Sequence, residues 1–431
     1  MGGSDGNYGA IAMRILAISS TFPYPPSKGG TEIRTYNLLA RLAQRHAVTI
    51  ATQRHPSVTD DHLAALRATV QEVMVFPLPP DPAASRSPRQ LARKVKRFGQ
   101  SWLRGTPPNV LHRFSRPMQA WIDQQIAADR FDVVTCEHSV NEIYVRPDWQ
   151  RRYPKLRSIV DVHSSVYGWA KGHLDLGASP HPTRDWLYLP LLARYERRYA
   201  NKFSAIVTTT PDDRDYMAQF APQVPGFVIP NGVDLALFPL RDRDPGGYEL
   251  VFVGAMDATH NIDAVKFFVN AVLPPLRSTY PAATFRIVGA RPSAEVLALG
   301  DRPGVVVTGP VDSMAAELHR ASVCVVPLRT GLGIKNKTLE AMAAGVPVVG
   351  SDRGLEGLTI DRPPLALRAN QPAEYIAAIG RLWESTELRA QLSQAARAYV
   401  ERDFSWDQAA QHYEAVLQSS PQQPTFTSFS L

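Results

Sequence analysis

The chain has 431 residues, of which 44% are hydrophobic and 20% charged, an ordinary composition for a soluble globular protein of roughly two or three domains. Its 27 glycines follow no period, and its two cysteines, Cys136 and Cys324, lie far apart in apolar runs, which excludes collagen-like, disulfide-scaffold and Cys-rich zinc classes. The 47 lysines and arginines outnumber the 40 aspartates and glutamates, which favours an anionic partner: a phosphate ester, a nucleic acid or an anionic membrane surface.

Apolar β-branched runs, turns and amphipathic segments alternate along the chain, and this alternation predicts an α/β fold with parallel strands. Residues 1–12 are expected to be a disordered lead without the features of a signal peptide. In the first half a helix is predicted at 31–44, and strands are predicted at 14–20, 47–52, 131–136, 158–162 and 205–209. In the second half strands are predicted at 249–254, 284–289, 305–307, 322–327 and 347–351. Helices are then predicted at 373–400 and 406–418, before a disordered tail at 419–431.

The pattern is interrupted at residues 235–248, where Pro239, alternating charges and two glycines occur. We therefore expect two Rossmann-like domains, at 13–234 and 249–402, joined by this hinge. Ligands of open α/β sheets bind at the carboxyl ends of the strands, which places the predicted functional site in the cleft between the domains. The Asp-Arg-Asp sequence at 242–244 lies in the hinge and is interpreted as a solvated charge cluster rather than a metal site.

The richest local signal is residues 329–349, where a strand leads through a glycine-containing loop into a helix. Backbone amides at such a helix start bind anions. Lys335 and Lys337 also lie there, where a cation opposes the helix dipole, so an anionic ligand such as a diphosphate accounts for them. Glu340, about one turn further, is expected to accept hydrogen bonds from ribose hydroxyls. The alternative is a solvated basic loop with Glu340 on the helix surface.

At this segment the chain resembles the retaining nucleotide-sugar glycosyltransferases of the GT-B fold, family 4, and the resemblance spans nearly the whole chain. The motifs that carry it are Leu-Glu-Ala-Met-Ala, Gly-Val-Pro-Val-Val, Ile-Pro-Asn-Gly-Val-Asp, Phe-Arg-Ile-Val-Gly and Val-Thr-Gly-Pro-Val, at residues 339–343, 345–349, 229–234, 285–289 and 307–311. The sequences at 23–29 and 254–257 are similar to a subgroup linked to bacterial exopolysaccharide export.

This resemblance implies the GT-B architecture, in which two Rossmann-like domains face each other and a C-terminal crossover helix, here 403–418, returns to the first domain. It also implies a hexosyltransferase that moves a sugar from a nucleoside diphosphate sugar to a hydroxyl of a glycan, glycolipid or small-molecule acceptor. Retention of configuration and independence from metal and cofactor are likewise implied. No residue of the chain identifies a nucleophile.

Two features depart from the family pattern. Leu332 stands where the first of two glutamates separated by seven residues is usual, and the loop at 254–263 lacks the usual Arg and Lys that neutralise the diphosphate. We therefore expect Lys335 and Lys337 to supply that charge.

The first domain is expected to complete the site. Gly29 and Gly30 permit close approach of a ligand, and in the family this loop contacts the donor phosphates and sugar. Arg34 is expected to reach a phosphate, and His163, at a strand end, to lie beside the reacting sugar. The alternatives are an ordinary turn, a surface cation and a structural histidine. The predicted catalytic residues are His163, Lys335 and Lys337. The predicted donor-binding residues are Gly29, Gly30, Arg34, Gly254, Asn261, Arg291, Gly309, Val311, Lys335, Lys337, Thr338, Leu339 and Glu340.

Residues 86–104 combine seven basic side chains with Leu, Val, Phe and Trp, which is typical of a helix on an anionic membrane and equally of a solvated basic helix. No recognised nucleic-acid motif accompanies them, so nucleic acid is not an expected partner. Residues 173–190, with Trp186 and Tyr188, are either an acceptor-facing lid or packing aromatics. No apolar run approaches the ~20 residues of a membrane span, so a cytoplasmic protein is expected, peripheral at the inner face of the membrane where the basic run docks.

Two other functions remain open. A sugar-nucleotide epimerase shares the two-domain layout but requires acid and base carboxylates in the cleft, which the sequence does not place. A catalytically silent nucleotide-sugar-binding protein is suggested by Leu332.

Overall fold

The computed structural model describes residues 12–26, 30–79, 99, 101, 103, 105–175, 177, 179, 181–331, 333–361 and 364–419. These residues form two sheets of parallel strands, one from each half of the chain, with helices packed against them. The predicted fold class, a two-domain α/β architecture with facing parallel sheets, is confirmed. Among the described residues, no helix combines the length and apolar character needed to cross a membrane.

The first sheet has seven strands in the order β3-β2-β1-β4-β5-β6-β7. Its strands are β1 (Arg14–Ser19), β2 (Ala47–Arg54), β3 (Glu72–Pro77), β4 (Val133–Glu137), β5 (Arg157–Val162), β6 (Ala205–Thr208) and β7 (Gly226–Val228). All residues of β1 after Arg14 are buried. A near-continuous apolar strand of this kind requires cover on both faces of the sheet, which helices provide. The described helices of this half are α1 (Gly30–Leu42), α2 (Asp60–Thr69), α3 (Pro108–His112), α4 (Arg116–Ala127), α5 (Trp149–Arg152), α6 (Val166–Asp175), α7 (Pro182–Ala200) and α8 (Pro211–Phe220), with a 3-10 helix at Ser139–Tyr144.

The second sheet has six strands in the order β10-β9-β8-β11-β12-β13. Its strands are β8 (Glu249–Val253), β9 (Thr284–Val288), β10 (Val305–Gly309), β11 (Val323–Val326), β12 (Val348–Gly350) and β13 (Leu367–Arg368). The described helices are α9 (Thr259–Phe267), α10 (Leu273–Thr279), α11 (Ala294–Leu297), α12 (Met314–Arg320), α13 (Asn336–Ala343), α14 (Pro372–Glu384), α15 (Thr386–Asp403) and α16 (Trp406–Gln418), with a π-helical turn at Phe268–Val272 and a 3-10 turn at Ala298–Asp301. The single helix predicted at 373–400 is wrong, because the Ser385 hydroxyl accepts the Leu388 N–H and caps a new helix there.

The C-terminal helix α16 packs into the first domain rather than the second. Trp406 and Tyr413 are buried in the same core as Leu38 and Leu42 of α1. The two segments that pass between the domains also touch, because the Val233 N–H donates to the Phe404 carbonyl at 2.7 Å. A Cβ at Gly232 would lie 2.5 Å from the Trp406 backbone nitrogen, so the contact requires glycine.

The hinge region packs on the second domain through charged side chains. Asp244 forms an ion pair with Arg389 at 2.6 Å, and the Arg389 side chain is only 6% exposed. Arg241 donates to the Ala321 carbonyl at 3.0 Å. The interpretation of 242–244 as a solvated cluster is therefore wrong for Asp244, although Asp242 is exposed.

Candidate active site

The carboxyl ends of the strands of both sheets border one cleft of about 530 Å³. Residues from both domains line it, as expected for open α/β sheets that face each other. The structure brings together seven of the residues predicted from the sequence: Gly30, His163, Gly254, Asn261, Lys335, Lys337 and Glu340. The cleft is therefore the candidate active site.

Lys337, in the first turn of α13, is held in a defined position. Its ammonium donates to Asn261 Oδ1 at 2.5 Å and lies 4.1 Å from the centroid of the Phe252 ring. Asn261 in turn donates through Nδ2 to the Ala255 carbonyl at 2.8 Å, which fixes the orientation of its amide. Burial lowers the pKa of Lys337 to about 7, although Cys324 and Glu340 act in the other direction. An anionic ligand in the cleft would therefore favour the protonated, positively charged form of Lys337.

Gly254 follows β8 and touches this pair. A Cβ at Gly254 would lie 2.8 Å from both the Lys337 ammonium and Asn261 Nδ2. A side chain at this position would shift the Lys337 ammonium and the Asn261 amide, so the glycine permits their present positions.

Lys335 is arranged differently from Lys337. Its ammonium donates to the carbonyls of Gly331 (3.2 Å) and Gly333, and it forms an ion pair with Glu356 at 3.2 Å. Burial lowers the pKa of Lys335, and Glu356 partly opposes that shift. The charge of Lys335 is therefore partly balanced within the protein, and the side chain also orders the glycine loop.

Thr338 and Leu339 do not present side chains to the cleft, contrary to their predicted role in donor binding. Leu339 is fully buried, and the Thr338 hydroxyl donates to the Gly354 carbonyl at 2.7 Å. Their backbone N–H groups both donate to the Lys335 carbonyl, at 2.9 and 3.3 Å. The amides at the start of α13 that an anion in the cleft could use are therefore those of Asn336 and Lys337.

A second depression of about 510 Å³ adjoins the cleft, and Met314, Asn336 and Glu340 line both. Val311, one of the predicted donor-binding residues, lines this second depression. Burial raises the pKa of Glu340 to about 7, while the charge of Lys337 acts against that rise. Glu340 thus stands between a cationic cleft and a partly apolar pocket, an arrangement suited to a nucleoside whose ribose meets a carboxylate.

Two other predicted donor-binding residues lie away from these pockets. Arg291 is exposed and forms an ion pair with Asp257 at 2.6 Å, and it lines neither depression. Gly309 ends β10 with a φ of +70°, and it lines neither depression either. The structure therefore does not bring these two residues to the site.

Arg34 is buried, and the prediction that it reaches a phosphate is wrong. Its side chain is 1% exposed and donates to both carboxylate oxygens of Asp161, at 2.7 and 3.0 Å. It also donates to Asn231 Oδ1 at 3.1 Å. Although burial disfavours ionisation, the positive charge of Arg34 lowers the pKa of Asp161 to about 2. Arg34 therefore ties α1 to β5 instead of binding a ligand.

His163, one residue beyond β5, lines the cleft as predicted. Its Nε2 lies 3.7 Å from Asp161 Oδ2, and its ring is 5.0 Å from the ring of His138 at an angle of 63°. His138 also lines the cleft and was not identified from the sequence. The available signal was its position two residues after the strand predicted at 131–136, similar to the strand-end position that selected His163.

Glu137, the last residue of β4, is a second buried group that sequence reasoning missed. Its Oε1 accepts hydrogen bonds from Thr135 at 2.9 Å and from Tyr413 of α16 at 3.4 Å. Burial, and then the charge of Asp161, raise the pKa of Glu137 to about 8. Ligand atoms of Glu137, Asp161 and His163 lie within 4.8 Å of one another, a set of types that binds divalent metals. The Arg34 guanidinium, however, already donates hydrogen bonds to both oxygens of Asp161, so it supplies the positive charge that a metal ion would otherwise bring to this cluster.

Several predictions fall wholly or partly outside the described residues. Gly29 and Leu332 lie outside them, as does all of 86–104 except residues 99, 101 and 103. Most of 173–190 lies in α6 and α7, where Trp186 is 66% exposed. The lid interpretation of that segment stays a prediction.

Comparison with known proteins agrees with this geometry. Residues 28–237 match the family model described as Glycosyltransferase Family 4, and residues 247–385 match the one described as Glycosyl transferases group 1. The chain belongs to the GT-B glycosyltransferases.

Two named relatives align with parts of this glycosyltransferase. It is 36% identical over 132 residues to the phosphatidyl-myo-inositol mannosyltransferase of Mycolicibacterium smegmatis, an alignment covering 29% of this chain and 33% of that protein. It is 26% identical over 220 residues to the GDP-mannose-dependent monoacylated alpha-(1-6)-phosphatidylinositol monomannoside mannosyltransferase of Corynebacterium glutamicum, covering 45% of this chain and 56% of that protein. The chain thus spans from about a third to somewhat over half of the length of these relatives.

Among solved structures, the HepE protein of Anabaena in complex with UDP and glucose has a TM-score of 0.62 at 14% identity. The alignment covers 95% of this chain and 100% of that one, which supports the same two-domain fold.

Proposed function

We propose that this glycosyltransferase moves a hexosyl group from a nucleoside diphosphate sugar to a hydroxyl acceptor, with retention of configuration and without a metal. The observation that carries the proposal is the half-buried Lys337, whose ammonium lies at the start of α13 beside Gly254 in the cleft that His163 also lines. Glu340 on the same helix, at the adjoining pocket, supports a nucleoside next to the diphosphate.

The chemistry follows from where charge develops. Cleavage of the bond between the anomeric carbon and the diphosphate oxygen leaves negative charge on that oxygen, and fixed cations and amides stabilise it. Lys337 supplies the cation, and the N–H groups of Asn336 and Lys337 supply the amides. The acceptor oxygen bonds to the anomeric carbon on the face that the diphosphate leaves, and the acceptor proton passes to the departing phosphate oxygen.

Metal independence rests on two features of the described residues. Lys335 and Lys337 already place positive charge at the proposed diphosphate position. The one group with the ligand types of a divalent metal, Glu137 with Asp161 and His163, shares its central carboxylate with Arg34. A reaction in which Lys337, rather than a metal ion, stabilises the charge on the leaving diphosphate is therefore the simpler proposal.

The epimerase alternative is disfavoured by the carboxylates. Among the described residues that line the cleft, Glu340 is the one acid. Glu137 and Asp161 are 1% and 0% exposed and line neither depression. An acid and base pair that could act on a bound sugar is thus not found in this part of the chain.

The donor and acceptor classes are proposed from the relatives. Two of them are named as mannosyltransferases that act on phosphatidylinositol lipids, one of them GDP-mannose-dependent, and HepE was solved with UDP and glucose. We propose a UDP- or GDP-linked hexose as donor and a glycolipid as acceptor, in exopolysaccharide assembly. The place of action would be the cytoplasmic face of a membrane, with the basic run at 86–104 as the contact.

The test is a turnover screen with UDP-glucose and GDP-mannose, in which nucleoside diphosphate release is measured with and without lipid and oligosaccharide acceptors. Lys337→Met should abolish release, whereas Lys266→Met, on an exposed lysine paired with Glu295, should leave it unchanged. Loss of activity in EDTA would refute metal independence. A product whose anomeric configuration, read from its anomeric proton signal in NMR, is opposite to that of the donor would refute retention. Sugar interconversion without release would favour the epimerase, and binding without turnover would favour a silent protein.

A further inference from the structure

His138 has a backbone conformation that histidine rarely adopts. Its φ and ψ are 79° and 142°, at the junction between β4 and the 3-10 helix Ser139–Tyr144. Glycine populates this region without strain, whereas a side chain there carries a conformational cost. Strained residues of this kind persist where the surrounding structure holds them, and they concentrate at functional sites.

The neighbouring backbone imposes the conformation. The His138 N–H donates to the Asp161 carbonyl at 3.0 Å, and the His138 carbonyl accepts from the Asn141 N–H at 3.1 Å. Asn141 also accepts the Ser20 N–H through Oδ1 at 2.8 Å, which joins the turn to the end of β1. None of these bonds uses the imidazole, so a glycine at 138 would preserve all of them. The backbone conformation at His138 therefore does not depend on these ring atoms.

The imidazole itself faces the cleft beside His163, in an edge-to-face contact at 5.0 Å. Its Nδ1 lies 3.5 Å from the Val140 N–H, which it accepts as the cap of the 3-10 helix, and 3.4 Å from Ser139 Oγ. An acceptor role at Nδ1 puts the proton of the neutral ring on Nε2. Burial, and then the charge of His163, lower the pKa of His138 to about 3, so the ring stays neutral.

We propose that His138 is a sugar-recognition residue, whose Nε2–H donates a hydrogen bond to a hydroxyl of the transferred hexose. This inference rests on the proposed function, because it takes the diphosphate to lie at Lys337 on the opposite domain. The sugar attached to that diphosphate then extends toward the first-domain wall of the cleft, which His138 and His163 form. A neutral donor suits a hydroxyl group, and a flat ring beside a second ring selects the orientation of the sugar.

The test compares His138→Gly with wild type in calorimetric binding of UDP-glucose, GDP-mannose, UDP and GDP. Wild type should bind one sugar nucleotide, and the variant should bind it about three- to tenfold more weakly, because one net hydrogen bond is lost. Affinity for the free nucleoside diphosphate should stay within about twofold, since the proposed diphosphate site is on the other domain. His138→Gln, which keeps an N–H donor, should recover part of the loss.

The control is Asp129→Gly, an exposed residue that also has positive φ, at 53°, and is remote from the cleft. Asp129→Gly should melt at or above the wild-type temperature, and His138→Gly should melt close to it, because relief of the positive-φ strain offsets loss of the Nδ1 cap. Of the two variants, His138→Gly alone should weaken sugar-nucleotide binding. Equal affinities of wild type and His138→Gly for the sugar nucleotide would overturn the inference, as would a parallel loss for the free diphosphate. Binding without any release of diphosphate by wild type would instead refute the proposed transferase function, so the two failures are distinguishable.

Discussion

The sharpest consequence of the structure concerns Lys337, which is half-buried and whose ammonium lies between the Phe252 ring and Asn261. A fall in pKa from the ordinary 10.5 to about 7 corresponds to about 5 kcal/mol spent in holding the charged form in the empty site. Because the folded pKa is lowered, this penalty is complete below pH 7 and disappears as the pH rises toward 10.5. Lys337→Met keeps an apolar stem over the Phe252 ring and removes the charge. The variant should therefore raise the unfolding free energy of the ligand-free protein at pH 6, by at most about 5 kcal/mol.

A bound diphosphate raises the pKa of Lys337 again, because its negative charge stabilises the protonated ammonium. With a free pKa of about 7 and a bound value well above 8, sugar-nucleotide binding should take up about 0.9 proton at pH 8 and about 0.1 at pH 6. Affinity should fall by up to about tenfold per pH unit above pH 7. The assay is calorimetry in buffers of different ionisation enthalpy, with a sugar nucleotide so that no terminal phosphate titrates.

Other groups at the site must be separated from Lys337. Glu340 has a pKa of about 7, and burial lowers the pKa of His260 to about 4. The charge of Lys337 contributes to both values, so wild type and Lys337→Met are compared in a Glu340→Gln background, which removes the carboxyl group that titrates near the assay pH. Equal proton uptake by the two proteins at pH 8, or a less stable Met variant, would refute the assignment of Lys337 as the phosphate-binding cation.

Three further outcomes are expected. Glu340→Gln should weaken nucleoside diphosphate binding by about tenfold, since a charge-assisted hydrogen bond to the ribose is lost, and calorimetry measures this. Gly232→Ala should lower the unfolding free energy by at least about 2 kcal/mol in urea, because its Cβ would lie 2.5 Å from the Trp406 nitrogen. Arg34→Met should cost about 3–5 kcal/mol at pH 7, because it leaves the buried carboxylate of Asp161 unpaired, and this loss should shrink as the pH falls and Asp161 becomes protonated.

Each of these has a contrary result. Unchanged nucleotide affinity in Glu340→Gln would remove the ribose assignment. Gly300→Ala is the matched control for Gly232→Ala, since its nearest atom is 3.7 Å away, and it should be neutral or stabilising. An Arg34→Met protein as stable as wild type at pH 7 that binds donor more weakly would restore the predicted phosphate role of Arg34.

Much of the fold could be predicted because strand and helix patterns depend on near neighbours. The apolar run in β1 and the strand-loop-helix sequence leading into α13 are both local, and both occur in the structure. The predicted helix at 373–400 failed at Ser385, where one side-chain cap outweighed continuous periodicity.

In the candidate site too, residues close together in sequence could be grouped, whereas contacts between distant residues could not be foreseen. Lys335, Lys337 and Glu340 lie within six residues on one helix start, so sequence spacing alone was enough to group them. Gly254 and Asn261 were correctly placed through the resemblance, although their contact with Lys337 was not foreseen.

Tertiary structure decided which charged side chains form ion pairs inside the protein. Arg34 and Asp161 are 127 positions apart, and nothing local to either indicates that they pair. His138 joins His163 in the first-domain wall of the cleft only because β4 lies next to β5, which brings the two strand ends together. Spacing along the chain sets which groups a helix or strand presents, but burial and pairing depend on which elements become neighbours, and pairing is what separates a ligand-binding cation from a structural one.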